Sequence, residues 1–244
     1  MKILGIIPAR YKSSRFPGKP LVNLNGKPMI VHVAQKAAQA LGTDNVIIAT
    51  DDERIADVVQ QAGFNTIITS DSHPTGTDRL WEVAQNIEAD IYINIQGDEP
   101  MVNPNDIIKV IEQKKATPQY VINGMSTLAD DEDPANINIP KVLVNSKNDL
   151  IYMSRLPIPG IKSPGAVSPV YLKQVCIYAF SFNQLKAYGE MNGKAVFEAF
   201  EDIEILRFLE LGIPVKMVYT QANTLAVDVP TDVEKVSQAM QNNN

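Results

Sequence analysis

Lys2-Ile3-Leu4-Gly5-Ile6-Ile7-Pro8-Ala9-Arg10-Tyr11-Lys12-Ser13-Ser14-Arg15-Phe16-Pro17-Gly18-Lys19-Pro20-Leu21 runs an apolar strand into a loop carrying four cations and two serine hydroxyls. Lys2 to Ile7 reads as a short buried strand that ends at Pro8, because proline cannot donate to a ladder and restricts the residue before it. The chain then turns at Ala9-Arg10. Arg10, Lys12, Arg15 and Lys19 can converge on a polyanion with the backbone N–H groups around Ser13, Ser14 and Gly18, arginine by its fork and lysine as a point charge. An arbitrary basic loop is more often a solvated charge run. This one leaves the first strand of a chain whose formal net charge is −6, which favours a specific anion site over a diffuse basic surface.

Working outward, strand-like and helix-like patterns alternate through the first half, the signature of βαβ units around a mostly parallel sheet. Strands are predicted at Ile3–Ile7, Asn45–Ala49, Thr66–Thr69, Ile91–Ile95 and Tyr120–Met125. Helices are predicted at Met29–Ala40, Asp52–Ala62, Arg79–Ile87 and Pro104–Gln113, from apolar residues at helical spacing. The second half is less regular. Lys141–Asn145, Val175–Phe180 and Val215–Tyr219 read as strands, Phe197–Leu211 as one amphipathic helix stopped by Gly212, and Thr231–Met240 as a terminal helix. Pro157, Pro159, Pro164 and Pro169 mark a loop or edge segment between them. The expectation is an α/β fold, a three-layer α/β/α arrangement with a mixed, mainly parallel sheet, forming a single domain over residues 1–244.

Composition narrows the function classes. At 244 residues and 45% hydrophobic content the chain can bury one substantial core. Its acidic balance argues against nucleic acid or an anionic membrane as the main partner. It has no apolar run of about 18 residues for a membrane span, and its N-terminus lacks the apolar stretch of a secretory signal, so a cytoplasmic protein is expected. Cys176 is the single cysteine, so no intramolecular disulfide can form, and with only two histidines there is no Cys/His zinc cluster. In the apolar run Val175 to Phe180, Cys176 reads as a buried small side chain rather than a nucleophile.

Two further motifs carry chemistry. Gln96-Gly97-Asp98-Glu99-Pro100 follows the apolar strand Ile91–Ile95, where a carboxylate can hold a hard divalent cation at the mouth of the sheet. Magnesium takes one or two protein carboxylates and leaves its other positions to water and phosphate. Asp228, taken alone, reads equally as a turn residue before Pro230. His73-Pro74-Thr75-Gly76-Thr77-Asp78-Arg79 is a polar turn entering a helix. Thr77 can cap that helix, with free N–H groups facing a nucleotide or simply closing the helix.

The first loop is neither a Walker loop nor a Rossmann fingerprint. It resembles, almost position by position, the Pro-Ala-Arg-x-x-Ser-x-Arg-Leu/Phe-Pro-Gly-Lys-x-Leu signature of the 3-deoxy-manno-octulosonate cytidylyltransferase (CMP-KDO synthetase) family. The likeness continues through Gly26–Ile30, Ala49-Thr50-Asp51, Gly76–Arg79, Asn94–Pro100 and Val227-Asp228. It implies a nucleotide-diphospho-sugar transferase-like fold and a Mg2+-dependent nucleotidyltransferase. Such an enzyme moves CMP from CTP to the anomeric 2-hydroxyl of a 3-deoxy-2-keto sugar acid and releases pyrophosphate. Arg10, Lys19 and Asp98 would be catalytic, and Asp98 and Asp228 would hold the metal. Ala9, Arg10, Ser14, Arg15, Lys19, Thr50, Gly76, Thr77, Arg79 and Gln96 would contact the nucleotide. Gln96, Asn138, Lys141, Arg155, Gln174, Tyr178 and Glu204 would contact the sugar. It further implies a homodimer with its interface within 146–190, and a product that supplies lipopolysaccharide or capsule.

The departures from the family pattern fall on the sugar side. Gln174 stands in place of a histidine, Cys176 of a glycine, Ile205 of a glutamine and Pro140 of a valine. A changed hydrogen-bond inventory there fits the octulosonate itself or a close analogue such as its 8-amino form. The alternatives are a nine-carbon sugar acid as acceptor, or a catalytically silent nucleotide-binding scaffold.

Overall fold

The computed structural model describes residues 1–12, 16–163, 165, 169–191, 193–221 and 225–242. β1 (Ile3–Ala9) leads through a short hairpin, β2 (Asn23–Leu24) and β3 (Lys27–Pro28), into α1 (Met29–Leu41). Then follow β4 (Val46–Thr50), α2 (Glu53–Gln61), β5 (Asn65–Ile68), α3 (Gly76–Asn86), β6 (Ile91–Ile95), α4 (Pro104–Ala116) and β7 (Val121–Thr127). The second half supplies β8 (Lys141–Val144), β9 (Leu150–Ser154), β10 (Leu172–Phe180), α5 (Phe182–Gly189), α6 (Val196–Glu201), α7 (Ile205–Glu210), β11 (Val215–Tyr219) and α8 (Asp232–Asn242).

Among the described residues, nine strands form one mixed sheet whose main path is β11-β7-β10-β6-β1-β4-β5, with β8 pairing β10 and β9. Pairs β1/β4, β1/β6, β4/β5 and β7/β11 are parallel, while β10 runs antiparallel to both β6 and β7. One face carries α1, α2 and α4 on a core that includes Ile30, Val33, Ile55, Val59, Ile107 and Val110. The other carries α3, α5 and α7 through Leu80, Val83, Leu185, Tyr188, Leu206 and Phe208. The three-layer expectation therefore matches the observed architecture. No helix of the described residues is long and apolar enough to cross a membrane.

Three differences from the sequence reading bear on the site. β1 continues through Pro8 to Ala9, with Pro8 aligned to Ala49, whereas its pairing with β6 ends at Ile6. Pro8 thus sits where only one neighbouring strand remains, the position in which a missing N–H is tolerated. β9 and α5 are additional elements that the pattern did not predict, α5 being opened by a Ser181/Gln184 capping box. The helix predicted over Phe197–Leu211 is two helices, broken where Asp202 takes the left-handed conformation at φ 51°. Aspartate is among the side chains that tolerate that region, and the break turns Glu204 away from the continuous apolar stripe.

Candidate functional site

Strand order reverses at β1: the chain moves first to β4 on one side and then returns to β6 on the other. Crevices at such switch points, outside the carboxyl ends of the strands, are where ligands of open α/β sheets bind. A cleft of about 240 Å³ lies there, lined by Pro8 and Ala9 at the end of β1 and Arg10 after it, Lys19, His73 to Gly76 and Arg79 at α3, Gln96 to Asp98 after β6, and Asp202 and Glu204. Gly97 permits the loop after β6 to approach, since a Cβ there would meet the Pro8 carbonyl oxygen at 2.8 Å.

Lys19 follows Gly18, whose φ of 72° turns the chain back toward the sheet. Its Nζ donates to Asp98 Oδ2 at 2.7 Å and lies 3.7 Å from Asp228 Oδ1. The two aspartates meet because a small apolar cluster of Leu24, Met29, Val227 and Val236 seats the C-terminal segment and α8 on the β2–β3 hairpin. The Val227 N–H then donates to the Asp98 carbonyl at 3.0 Å. Two oxygen-bearing carboxylates gathered on one cation fit a hard divalent ion. Among the described residues no group of three or more metal-ligating side chains occurs, so magnesium bound to Asp98 and Asp228 would take its other ligands from water and phosphate oxygens.

The turn into α3 differs from the cap expected of Thr77. Thr75 is the N-cap, its hydroxyl accepting from the Asp78 N–H at 3.1 Å, and Thr77 lies buried in the first turn. The N–H groups of Gly76 and Thr77 donate to Glu204 Oε1 and Oε2 at 3.1 and 3.0 Å, and the Thr77 hydroxyl donates to the same carboxylate. Burial raises the Glu204 carboxyl above its usual range, and these donors pull it part of the way back. Helix α3 therefore presents a carboxylate-capped N-terminus to the cleft. Arg79, one turn on, is buried; it donates to the Thr69 hydroxyl and lies 3.7 Å from Asp51 Oδ2. Its guanidinium is held below its ordinary range by burial, opposed by the Asp51 charge.

Of the residues singled out from sequence, Ala9, Arg10, Lys19, Gly76, Arg79, Gln96, Asp98 and Glu204 line the cleft. Asp228 reaches it through Lys19. Ser14 and Arg15 lie outside the described residues. Thr50 is buried at the end of β4, its hydroxyl accepting from the Asp52 N–H. Lys141 is fully buried, donating to the carbonyls of Asn136 and Arg155 at 2.8 and 2.6 Å, and burial lowers its ammonium. Arg155 spreads its guanidinium over the carbonyls of Ile137, Glu201 and Asp202. Gln174 donates to Asn123 Oδ1 at 3.0 Å and lies 3.4 Å from the buried Tyr178 hydroxyl, while Asn138 is exposed on the loop before β8. Ile205, read from sequence as a change in the sugar pocket's polar inventory, is fully buried in the core beside Leu206 and Phe208. Its apolar side chain thus serves packing. Sequence reasoning missed Asp202 at the cleft, its only signal being an aspartate inside an amphipathic run, and gave His73 no role beyond opening the polar turn into α3.

A cytidylyltransferase family model matches residues 4–224. The 3-deoxy-manno-octulosonate cytidylyltransferase of Escherichia coli is 40% identical over 239 residues, covering 98% of this chain and 96% of the relative. The mitochondrial 3-deoxy-manno-octulosonate cytidylyltransferase of Arabidopsis thaliana is 39% identical, covering 100% and 84%. Among solved structures, a CMP:2-keto-3-deoxy-manno-octonic acid synthetase complexed with CTP superposes with a TM-score of 0.92 at 40% identity, covering 100% of both chains. A glucose-1-phosphate thymidylyltransferase from Bacillus anthracis, at 18% identity and TM-score 0.72, shares the fold over 99% of this chain and 96% of that one.

Proposed function

This chain belongs to the 3-deoxy-manno-octulosonate cytidylyltransferase family, and we propose that it transfers CMP from CTP to the anomeric 2-hydroxyl of 3-deoxy-manno-octulosonate or a close analogue. The observation that carries this reading is the meeting of Lys19 with Asp98 and Asp228 beside Arg10, in one cleft at the switch point of the sheet.

The hydroxyl oxygen attacks the α-phosphorus in line, a new P–O bond forms, the bond to the β-phosphate oxygen breaks, and pyrophosphate leaves. Catalysis of such a transfer is mainly positioning and charge stabilisation. Arg10 and Lys19 face the α-phosphate and the departing pyrophosphate, where their positive charge offsets the negative charge that develops. Gln96 and the α3 turn face the nucleoside, whose base is read by hydrogen bonds that a wrong base would leave unpaired. Magnesium held by Asp98 and Asp228 would neutralise phosphate charge and lower the pKa of the attacking hydroxyl.

A homodimer is part of the same reading. Among the described residues β9 pairs with β8 alone and so forms a sheet edge; Ile151 stands exposed on it, Leu156 just beyond it, and Val196, Phe197 and Phe200 on α6, with Tyr152 of β9 in an edge-on contact with Phe197 at 5.8 Å. An exposed strand edge with exposed apolar side chains beside it supports an association surface there. We place the reaction in the cytoplasm; that no helix of the described residues is long and apolar enough to cross a membrane is in keeping with this placement. Pyrophosphate release with CTP, Mg2+ and an acceptor panel of the octulosonate, its 8-amino form and a nine-carbon sugar acid tests the function. Release with an octulosonate is expected; none with any acceptor overturns the reading. Light scattering checks the dimer.

A further inference from the structure

The loop between β1 and Lys19 is held by contacts that the proposed chemistry does not use. Gly18 N–H donates to the Tyr11 carbonyl at 2.9 Å, tying these two residues together. Tyr11 N–H donates to Asp51 Oδ1 at 3.3 Å, fastening the start of the loop to the turn after β4. The guanidinium of Arg54, in the first turn of α2, lies over the Tyr11 ring with its central carbon 3.4 Å from the centroid. That guanidinium is itself set by Asp52, the N-cap of α2, which accepts from Nε at 2.8 Å, from Nη2 at 2.7 Å and from the Arg54 backbone N–H at 3.0 Å. A Cβ at Gly18 would come within 3.3 Å of the Tyr11 Cζ and hydroxyl, so Gly18 also lies close against the ring.

We propose that Arg54 is a positioning residue for the nucleotide: by stacking on Tyr11 it holds Tyr11 and the Gly18 bonded to it, and with them the adjacent Arg10 and Lys19, in the geometry offered to the phosphates. Arg54 is exposed and reaches Tyr11 and Asp52 rather than the cleft, so its effect passes through Tyr11. The bidentate pair with Asp52 fixes the plane of the guanidinium, and a planar fork can pair with a carboxylate and stack on an aromatic face at once, whereas an ammonium keeps only the point-charge attraction to the ring. The hydrogen bond from Arg54 also holds the Asp52 carboxyl below the usual carboxylate range, consistent with a persistent pair. When only a fraction of molecules has the loop in its binding geometry, the apparent affinity for the ligand falls by that fraction while the bound complex reacts as before.

The inference rests on the CTP reading above, and the experiment separates the two. CTP binding by calorimetry and steady-state constants would be compared for wild type, Arg54→Met, Arg54→Lys, Tyr11→Phe and the pair Arg54→Met with Tyr11→Ala. Arg54→Met should raise the Kd and KM for CTP about 2- to 5-fold, the worth of a cation–π contact at an exposed site. Its kcat, acceptor KM and Tm should stay at wild-type values. Arg54→Lys should fall between, Tyr11→Phe should bind as wild type, and adding Arg54→Met to Tyr11→Ala should cost nothing further. Unchanged CTP binding in Arg54→Met overturns the proposal. So does a fall in Tm that carries kcat down with it, which would make Arg54 a structural residue. A wild-type protein that binds no CTP would sink the functional reading itself, and this proposal with it.

Discussion

Arg10 and Lys19 on the β1 side, and Lys114, Lys141, Arg155 and Arg207 elsewhere, are equally basic in sequence and are put to opposite uses. The first pair lines a cleft, and Lys19 faces two carboxylates drawn from separate parts of the chain. Lys114 instead donates to the carbonyls of Pro118 and Tyr120 and to Gln184 Oε1, at 2.8, 2.6 and 2.6 Å. Lys141 and Arg155 likewise spend their donors on backbone oxygens. Arg207 is clamped by Glu198 at 2.6 and 2.7 Å, reaches Asp78 at 3.1 Å and lies over the Tyr188 ring. A cation whose donors are filled by backbone carbonyls or a buried counter-ion away from the cleft organises structure, whereas Arg10 and Lys19 line the cleft, Lys19 beside two carboxylates, where a ligand can reach them.

Perturbing each set should separate these uses. The largest effect is expected for Asp98→Asn, which should lower kcat by about 10²- to 10³-fold, the scale of a lost electrostatic group at a reacting centre, with Tm near wild type. Near-normal turnover would remove Asp98 from the reaction. Arg207→Met should act on stability instead, costing about 3–5 kcal/mol because it leaves Glu198 and Asp78 without their buried counter-ion. Denaturant titration measures it; a loss below 1 kcal/mol would show the clamp to be dispensable. Lys19→Ala should reduce kcat/KM for CTP by about 10- to 100-fold, as expected for one charge-assisted phosphate contact.

Lys141→Met sharpens the contrast most directly. It leaves the part-buried bonds to the Asn136 and Arg155 carbonyls without their donor and should cost about 1–3 kcal/mol of stability. A raised acceptor KM at unchanged stability would instead make Lys141 a sugar contact and break the division. The smallest effect is a pH dependence at Lys114, whose ammonium is pushed down to about 7 by burial. Above that value the unfolded chain holds a proton that the folded state sheds, so stability should rise with pH toward the unfolded lysine value. The stability difference between wild type and Lys114→Met should therefore move in favour of wild type between pH 7 and 9. A flat difference would show that the three acceptors keep the lysine charged.

Much of the fold was legible because its determinants are local. Ile91–Ile95 and Val215–Tyr219 occur as predicted, and α1 and α4 begin at the residues expected from apolar spacing and the Pro104 signal. β9 escaped because Leu150–Ser154 is a short edge strand with an exposed side and no strong alternation. The break at Asp202 escaped because apolar spacing continues across it, and only the backbone conformation reveals that the helix stops.

The sequence by itself determined the alternating α/β plan, the cationic loop after the first strand and the acidic turn after β6, since strand and helix periodicity and turn chemistry are properties of neighbouring residues. Only the tertiary structure decided that Asp228 meets Asp98 through the packing of Val227 on Leu24 and Met29, that Glu204 caps α3, and that Lys141 and Arg155 are consumed by backbone carbonyls. The reason is that a charged side chain's role depends on which acceptors are brought to it through space, and those partners come from distant parts of the chain.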